Sequence, residues 1–178
     1  MATYFGTDGI RGVVNVSLTS ELAFKCGNAL TQLKKNPKVV ICKDTRISGD
    51  IILYSMATGI MSGGGNVINC GVLPTAGLAY LTGLYKADYG VVISASHNPY
   101  EYNGIKIFSS KGYKLSEDEE EKIEELFSSM NIKSGKNIGT LTYDLNAQKV
   151  YSDFLLATCK TDLKGLKIVL DCAYGAAY

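Results

Sequence analysis

The sequence predicts an α/β domain with a mixed, mostly parallel sheet flanked by helices, and three observations predict it. Short apolar, β-branched runs of strand length recur at 38–42, 66–71 and 89–93. Around them lie stretches of helical length at 17–35, 50–61 and 75–85, the first carrying a clear apolar stripe. Pro37 and the run Gly63-Gly64-Gly65 punctuate the boundaries. Alternating strands and helices at this spacing suit parallel strands joined by crossover helices.

Residues 1–16 hold Gly6, Gly9 and Gly12 around Asp8 and Arg11. The spacing is not a dinucleotide fingerprint, and no strand is predicted before it. The Arg11 guanidinium offers a planar fork of donors suited to phosphate; its plainer role is an ion pair with Asp8 or a cap on carbonyls. Residues 17–35 read as the first helix. Thr19 or Ser20 caps it, Leu22, Cys26, Ala29, Leu30 and Leu33 form its stripe, and Lys34-Lys35 suit its carboxyl end. The strand 38–42 follows Pro37. In the loop 43–49, Asp44 and Arg46 read as a structural pair fixing that loop rather than a catalytic set. The helix over 50–61 ends at the glycine run, which lacks a Walker lysine and acts as a stop. A strand over 66–71, a helix over 75–85 and a strand over 89–93 come next.

That last strand turns abruptly polar at Ser94, Ser96, His97, Asn98 and Pro99. Pro99 has no N–H and biases Asn98 away from helix, so the strand breaks into a loop. Gly104 lets the chain return, and 105–108 reads as the departing strand. Ser96, His97 and Lys106 thus come from opposite arms of one turn. They can converge at the carboxyl end of a strand, where open α/β sheets place ligands. A serine hydrolase fits poorly. His97 is the single histidine, and adjacent side chains on extended backbone point apart. There is no Gly-x-Ser-x-Gly elbow either. Two readings stay open. Ser96 carries a phosphoryl group whose charge Lys106 and His97 balance, or it is a loop serine that satisfies backbone groups.

Residues 109–115 read as a turn with a short strand around Tyr113. Ser116-Glu117-Asp118-Glu119 is a capping box opening an acidic helix to about Phe127. Ile123, Leu126 and Phe127 form its buried stripe; its carboxylates read as a solvated face, not a metal site. The polar stretch 131–140 marks a boundary, which gives a first domain over 1–142. Residues 143–178 then hold a linking helix over 143–160, a buried strand over 166–171 and the start of an incomplete second domain. A lone strand and helix cannot bury their apolar faces, so the chain reads as a fragment.

A chain of 178 residues suffices for one sizeable core and part of another. The formal net charge of +1 gives no electrostatic reason to expect nucleic acid or an anionic membrane as partner. No apolar run approaches a membrane span, and the amino terminus lacks signal-peptide features. Five cysteines, with no Cys-x-x-Cys, read as reduced core residues. Together these predict a cytoplasmic protein; oligomeric state is not legible.

The run 93–99, followed by Asn103-Gly104-Ile105-Lys106, resembles the phosphoserine loop of the α-D-phosphohexomutase superfamily. Tyr4 to Gly12, and Ser94-Ala95-Ser96-His97 in place of Thr-Gly-Ser-His, are similar to its bacterial phosphoglucosamine mutase branch. Residues 43–49 and 71–75 also resemble family segments, so the similarity runs along the whole chain. Cys172 to Ala177 resembles the first strand–turn of the family's second domain, with Tyr174 where the family has asparagine.

The resemblance implies an intramolecular phosphotransferase of four domains that interconverts glucosamine 6-phosphate and glucosamine 1-phosphate. The route is a phosphoserine and a bisphosphate intermediate, an amino-sugar step toward peptidoglycan precursors. Ser96 would carry the phosphate, and Arg11 and Lys106 would stabilise transferring charge. Lys106 would also be placed for proton transfer, and His97 would orient oxygens or exchange a proton. Mg²⁺ would bind through the phosphate on Ser96. Its carboxylate ligands and the sugar-selecting loop would lie beyond residue 178, which implies a fragment inactive alone. The alternatives are a phosphomannomutase or phosphoglucomutase of the same superfamily, and a non-catalytic phosphate- or partner-binding domain.

Overall fold

Residues 4–129 and 132–178 are described by the structure, a computed structural model. The chain opens with β1 (Phe5–Gly6) and β2 (Gly9–Val13), then α1 (Ser20–Leu33), β3 (Lys38–Lys43) and α2 (Gly49–Ser62). Next come β4 (Asn66–Val72), α3 (Thr75–Leu84), β5 (Tyr89–Ile93) and β6 (Tyr102–Ser109). α4 (Glu117–Ser128), β7 (Leu141–Tyr143) and α5 (Ala147–Thr158) follow.

Among the described residues one seven-stranded sheet runs in the order β1-β2-β6-β5-β3-β4-β7. β3 pairs parallel with β4 and β5, and β4 with β7. The β1–β2, β2–β6 and β5–β6 pairs are antiparallel. The sheet is therefore mixed, as predicted. Its antiparallel half comes from β6 folding back on β5 and from β1 and β2, which carry no strand pattern in the sequence.

Period-two alternation sets the layers. Val39, Ile41, Val91, Ile93, Ile105 and Ile107 face one core, packed with residues of α1, α2 and α4. Val40, Cys42 and Val92 face a second, smaller core with Leu78, Leu81 and Ala147 of α3 and α5. β3 and β5 are buried on both faces, which is why they read as continuous apolar runs. Each fully buried Ile, Leu or Val contributes about 1.5–3 kcal/mol, so these two cores dominate stability.

Local chemistry fixes the ends. The Leu22 N–H donates to Thr19 Oγ1 at 3.1 Å, which makes Thr19 the α1 cap. The predicted capping box of α4 is present, with Ser116 and Glu119 reciprocally bonded. α1 and α2 pack backbone to backbone: a Cβ on Gly59 would lie 2.0 Å from the Phe24 carbonyl oxygen.

Four expectations change. The acidic face of α4 is not wholly solvated, because Glu120 and Glu124 are buried. Glu124 Oε2 accepts from the Tyr4 and Phe5 N–H groups, tying β1 to α4. The strand expected around Tyr113 shrinks to an isolated bridge between Phe108 and Lys114. β7 crosses the expected division at 142, and α5 starts later than the helix foreseen from 143. Phe154 of α5 stacks on Tyr80 with ring centroids 4.0 Å apart. Finally, residues 166–171 form no strand, and Val169 is 98% exposed. A strand needs a neighbouring edge for its hydrogen bonds, and among the described residues none pairs with this segment. Of the polar stretch 131–140, residue 131 lies outside the described residues, as do residues 1–3 of the opening run; 132–140 form neither helix nor strand.

Candidate functional site

β3 and β5 are adjacent and parallel, so the loops leaving their carboxyl ends meet. The Asp44 N–H donates to the Ile93 carbonyl at 3.0 Å, continuing the ladder past the strand. Ser94 Oγ donates to Asp44 Oδ2 at 2.7 Å and accepts from the Ser96 N–H at 3.0 Å. Ser96 itself takes a left-handed conformation with φ of 57°, and its hydroxyl side is exposed. A non-glycine residue held there at the end of a buried strand signals an imposed geometry.

Ser96 and His97 are brought together. Ser96 Oγ and His97 Nδ1 lie 3.4 Å apart, a contact the sequence argument ruled improbable. Adjacent side chains point apart on extended backbone, and the left-handed turn at Ser96 brings these two together instead. At the outer limit of hydrogen-bond distance, the pair is an orienting contact rather than a base drawing a proton from a nucleophile.

Arg11 reaches the same loop from β2. Its Nη1 donates to Asn98 Oδ1 at 3.2 Å and its Nη2 pairs with Asp8 at 2.7 Å. The ion pair with Asp8 weighed from sequence is present, and the buried Nε of Arg11 has no hydrogen-bond partner among the described residues. Arg11 pairs in register with Gly104. There a Cβ would come within 2.7 Å of the Ser94 carbonyl oxygen and 2.8 Å of that of Ile10, so only glycine lets the three strands close. Gly104 is thus interior to β6 rather than part of a turn. Lys106 lies opposite Val92 on the smaller-core side of the sheet.

A cavity of about 1060 Å³ opens beside the loop, with Asp44, Arg46, Ser94, Ser96, His97 and Tyr174 on its wall. Arg11 lines a neighbouring recess of about 280 Å³ with Asp8, and Lys106 lines neither. Ser96 and His97 therefore share the cavity, Arg11 joins them through Asn98, and Lys106 stands one strand away. Three of the thiols lie in the core, where burial pushes Cys26 and Cys70 up to about 12 and raises Cys42 well above its ordinary value, whereas Cys159 and Cys172 are exposed and not the core residues expected.

The residue missed as a partner of this loop is Arg46. Its Nε pairs with Asp44 Oδ2 at 3.1 Å, the local link foreseen. Its Nη1 also donates to the Pro99 and Tyr102 carbonyls at 2.6 and 3.0 Å. Its Nη2 donates to those of Ser96 and Asn98 at 3.0 and 2.8 Å. The available signal was the position of Arg46 just past a strand neighbouring the serine-bearing one.

Residues 2–132 match the family described as phosphoglucomutase/phosphomannomutase, alpha/beta/alpha domain I. The chain belongs to the phosphoglucomutase/phosphomannomutase family. Within that family it is 52% identical over 186 residues to a phosphoglucosamine mutase of Clostridioides difficile, covering 100% of this chain and 42% of the relative. It is 50% identical over 184 residues to the phosphoglucosamine mutase of Caldanaerobacter subterraneus subsp. tengcongensis, covering 99% of this chain and 41% of the relative. The chain thus spans about two fifths of the length of these curated relatives. The fold matches a phosphoglucomutase/phosphomannomutase family protein from Burkholderia thailandensis with TM-score 0.76 at 23% identity, over 90% of this chain and 36% of that one. Helices on both faces of the sheet agree with the family's domain I description.

Proposed function

We propose that this chain is the phosphoryl-carrying part of a phosphoglucosamine mutase, with Ser96 as the carrier. The observation behind the reading is the exposed Ser96 hydroxyl, held left-handed at the end of β5 on the wall of a large cavity. The shared name of the curated relatives supports glucosamine phosphate as substrate over mannose or glucose phosphate.

The phosphate on Ser96 passes to a hydroxyl oxygen of the sugar phosphate. The bond from Ser96 Oγ to phosphorus breaks, the new sugar O–P bond forms, and the sugar hydroxyl proton leaves to a base. The Ser96 oxygen takes up a proton as it leaves, giving a hexosamine bisphosphate and a free serine hydroxyl. After the sugar reorients, Ser96 Oγ loses its proton, attacks the other phosphorus and releases the isomeric monophosphate. Such transfer demands in-line positioning and charge stabilisation more than covalent help. Arg11 stabilises charge from the β2 side, His97 orients oxygens beside Ser96, and Lys106 is assigned the proton.

A magnesium ion would supply charge neutralisation on the phosphate. Among the described residues no group of three or more His, Cys, Asp or Glu gathers as a metal site. The phosphate on Ser96 would then be the contribution of the described residues to the ion. Residues after β7 serve, in this reading, as the bridge to a second domain, and the chain alone turns over little or no substrate. No described helix is long and apolar enough to cross a membrane, and the sugar-phosphate substrate fits a cytoplasmic setting.

Incubation with a hexose 1,6-bisphosphate followed by intact-mass analysis tests the carrier. One added phosphate, absent from Ser96→Ala, is expected. A chain that stays unmodified at saturating donor would sink the carrier role, and steady mutase turnover by the 178-residue protein would refute its incompleteness.

A further inference from the structure

We propose that Arg46 is a positioning residue for Ser96: it holds the serine in its left-handed conformation and neutralises the loop's carbonyls near the transferring phosphate. The inference rests on the phosphoryl-carrier reading and assigns it a residue outside the reacting atoms.

A guanidinium has five N–H donors in a rigid plane. Here one meets Asp44 and four meet the carbonyls of Ser96, Asn98 and Pro99 in the loop and of Tyr102 at the start of β6. The Ser96 peptide groups are held on both sides. Its N–H is held by Ser94 Oγ and its C=O by Arg46 Nη2. Both tethers end on the same atom, Asp44 Oδ2. Asp44 is in turn anchored to β5 through its own N–H, and its Oδ1 accepts from the Arg46 N–H at 3.0 Å. Left-handed backbone is unfavourable for an L-residue, so it persists only where surroundings over-determine it. This closed circuit over-determines it.

The same bonds carry an electrostatic consequence. A phosphoserine adds close to two negative charges, and carbonyl oxygens facing it would repel it. Arg46 gathers four carbonyl dipoles onto one guanidinium, so their negative ends are neutralised by its charge. Lysine cannot substitute: it has three donors and no planar fork, so at least two of the five bonds are lost.

Arg46→Lys keeps the charge beside Asp44, and Ser94→Ala removes the acceptor of the Ser96 N–H and one donor to Asp44 while Arg46 stays on that carboxylate, so both avoid a stranded charge. Peptide-resolved hydrogen exchange and the rate of phosphate loading from a hexose 1,6-bisphosphate are read on each. In Arg46→Lys, exchange over residues 94–104 should rise by at least about tenfold, the factor equivalent to one charged hydrogen bond, with α1 and α2 unchanged. Maximal loading should fall about 100-fold with the half-saturating donor concentration unmoved. Ser94→Ala should move both readouts in the same direction by less. Unchanged exchange over 94–104, exchange rising equally in α1 and α2, or slower loading through weaker donor binding alone would each overturn the positioning role. A wild-type chain that takes no phosphate defeats the carrier reading instead, and the exchange result then decides the clamp by itself.

Discussion

Asp44 and Glu120 are both withdrawn from water and both face a cation, yet their surroundings differ. The Asp44 side chain is 13% exposed and its partner Arg46 11%, and every donor of the guanidinium has an acceptor. The Glu120 side chain is 6% exposed, but Lys114 is 41% exposed and Glu120 Oε1 has no hydrogen-bond partner among the described residues. Burying a charge is unfavourable unless the group is both paired and hydrogen-bonded. The completed pair stands where an irregular, strained loop must be held for chemistry. The incomplete one stands against α4, where apolar packing by Ile123 and Phe127 already fixes the helix. Completeness of a buried ion pair here tracks how much irregular backbone depends on it.

The largest way to break the comparison is Arg46→Ala. It strands the Asp44 carboxylate and leaves four carbonyls without their donor, so a loss of about 3–5 kcal/mol is expected in urea unfolding. A loss under about 1 kcal/mol would mean that the two pairs are energetically alike. A smaller effect comes from the strain itself. Ser96→Gly and Ser96→Ala both remove the phosphate acceptor, but only glycine relieves the left-handed backbone. The glycine variant should be more stable than the alanine variant by about 1 kcal/mol, since its greater unfolded-state freedom offsets part of the relief. Equal stabilities would show that the loop bears no strain.

Sequence made the buried half of this arrangement legible and the polar half only locally so. β5 emerges with the bounds expected, because an apolar run of β-branched residues between polar flanks has few other readings. The α4 capping box was equally plain, since it lies within one turn of helix. β1 and β2 were not visible: their glycines and charges carry no period-two signal, and their strand character comes from pairing with β6. Gly104 looked like a turn residue for the same reason. In place, the Asn103 Nδ2 donates to Ser48 Oγ at 3.0 Å and Gly104 closes against Arg11 in the sheet. Arg46 was read correctly as the partner of Asp44, two residues away. Its bonds to residues 96–102 depend on which strands are neighbours, and local spacing does not contain that.

The remaining test sharpens the comparison from its weaker side, and its sign follows from burial. Burial raises the Glu120 carboxyl above its ordinary value, the hydrogen bond and charge of Lys114 pull it back down, and Glu117 adds to the rise. A carboxyl raised on folding favours the native state while protonated. That contribution is whole below the unfolded value and is lost as pH climbs through the native one. Glu120→Gln keeps a neutral side chain of the same shape at every pH, so it should remove this part of the pH dependence. Urea midpoints from about pH 4 to about pH 7 should decline less, or rise more, in the variant than in the parent. Every other titrating group is common to both proteins and cancels in the difference. Identical slopes would mean that Lys114 satisfies the carboxylate after all, and that the pairing on α4 is as complete as the one beside Ser96.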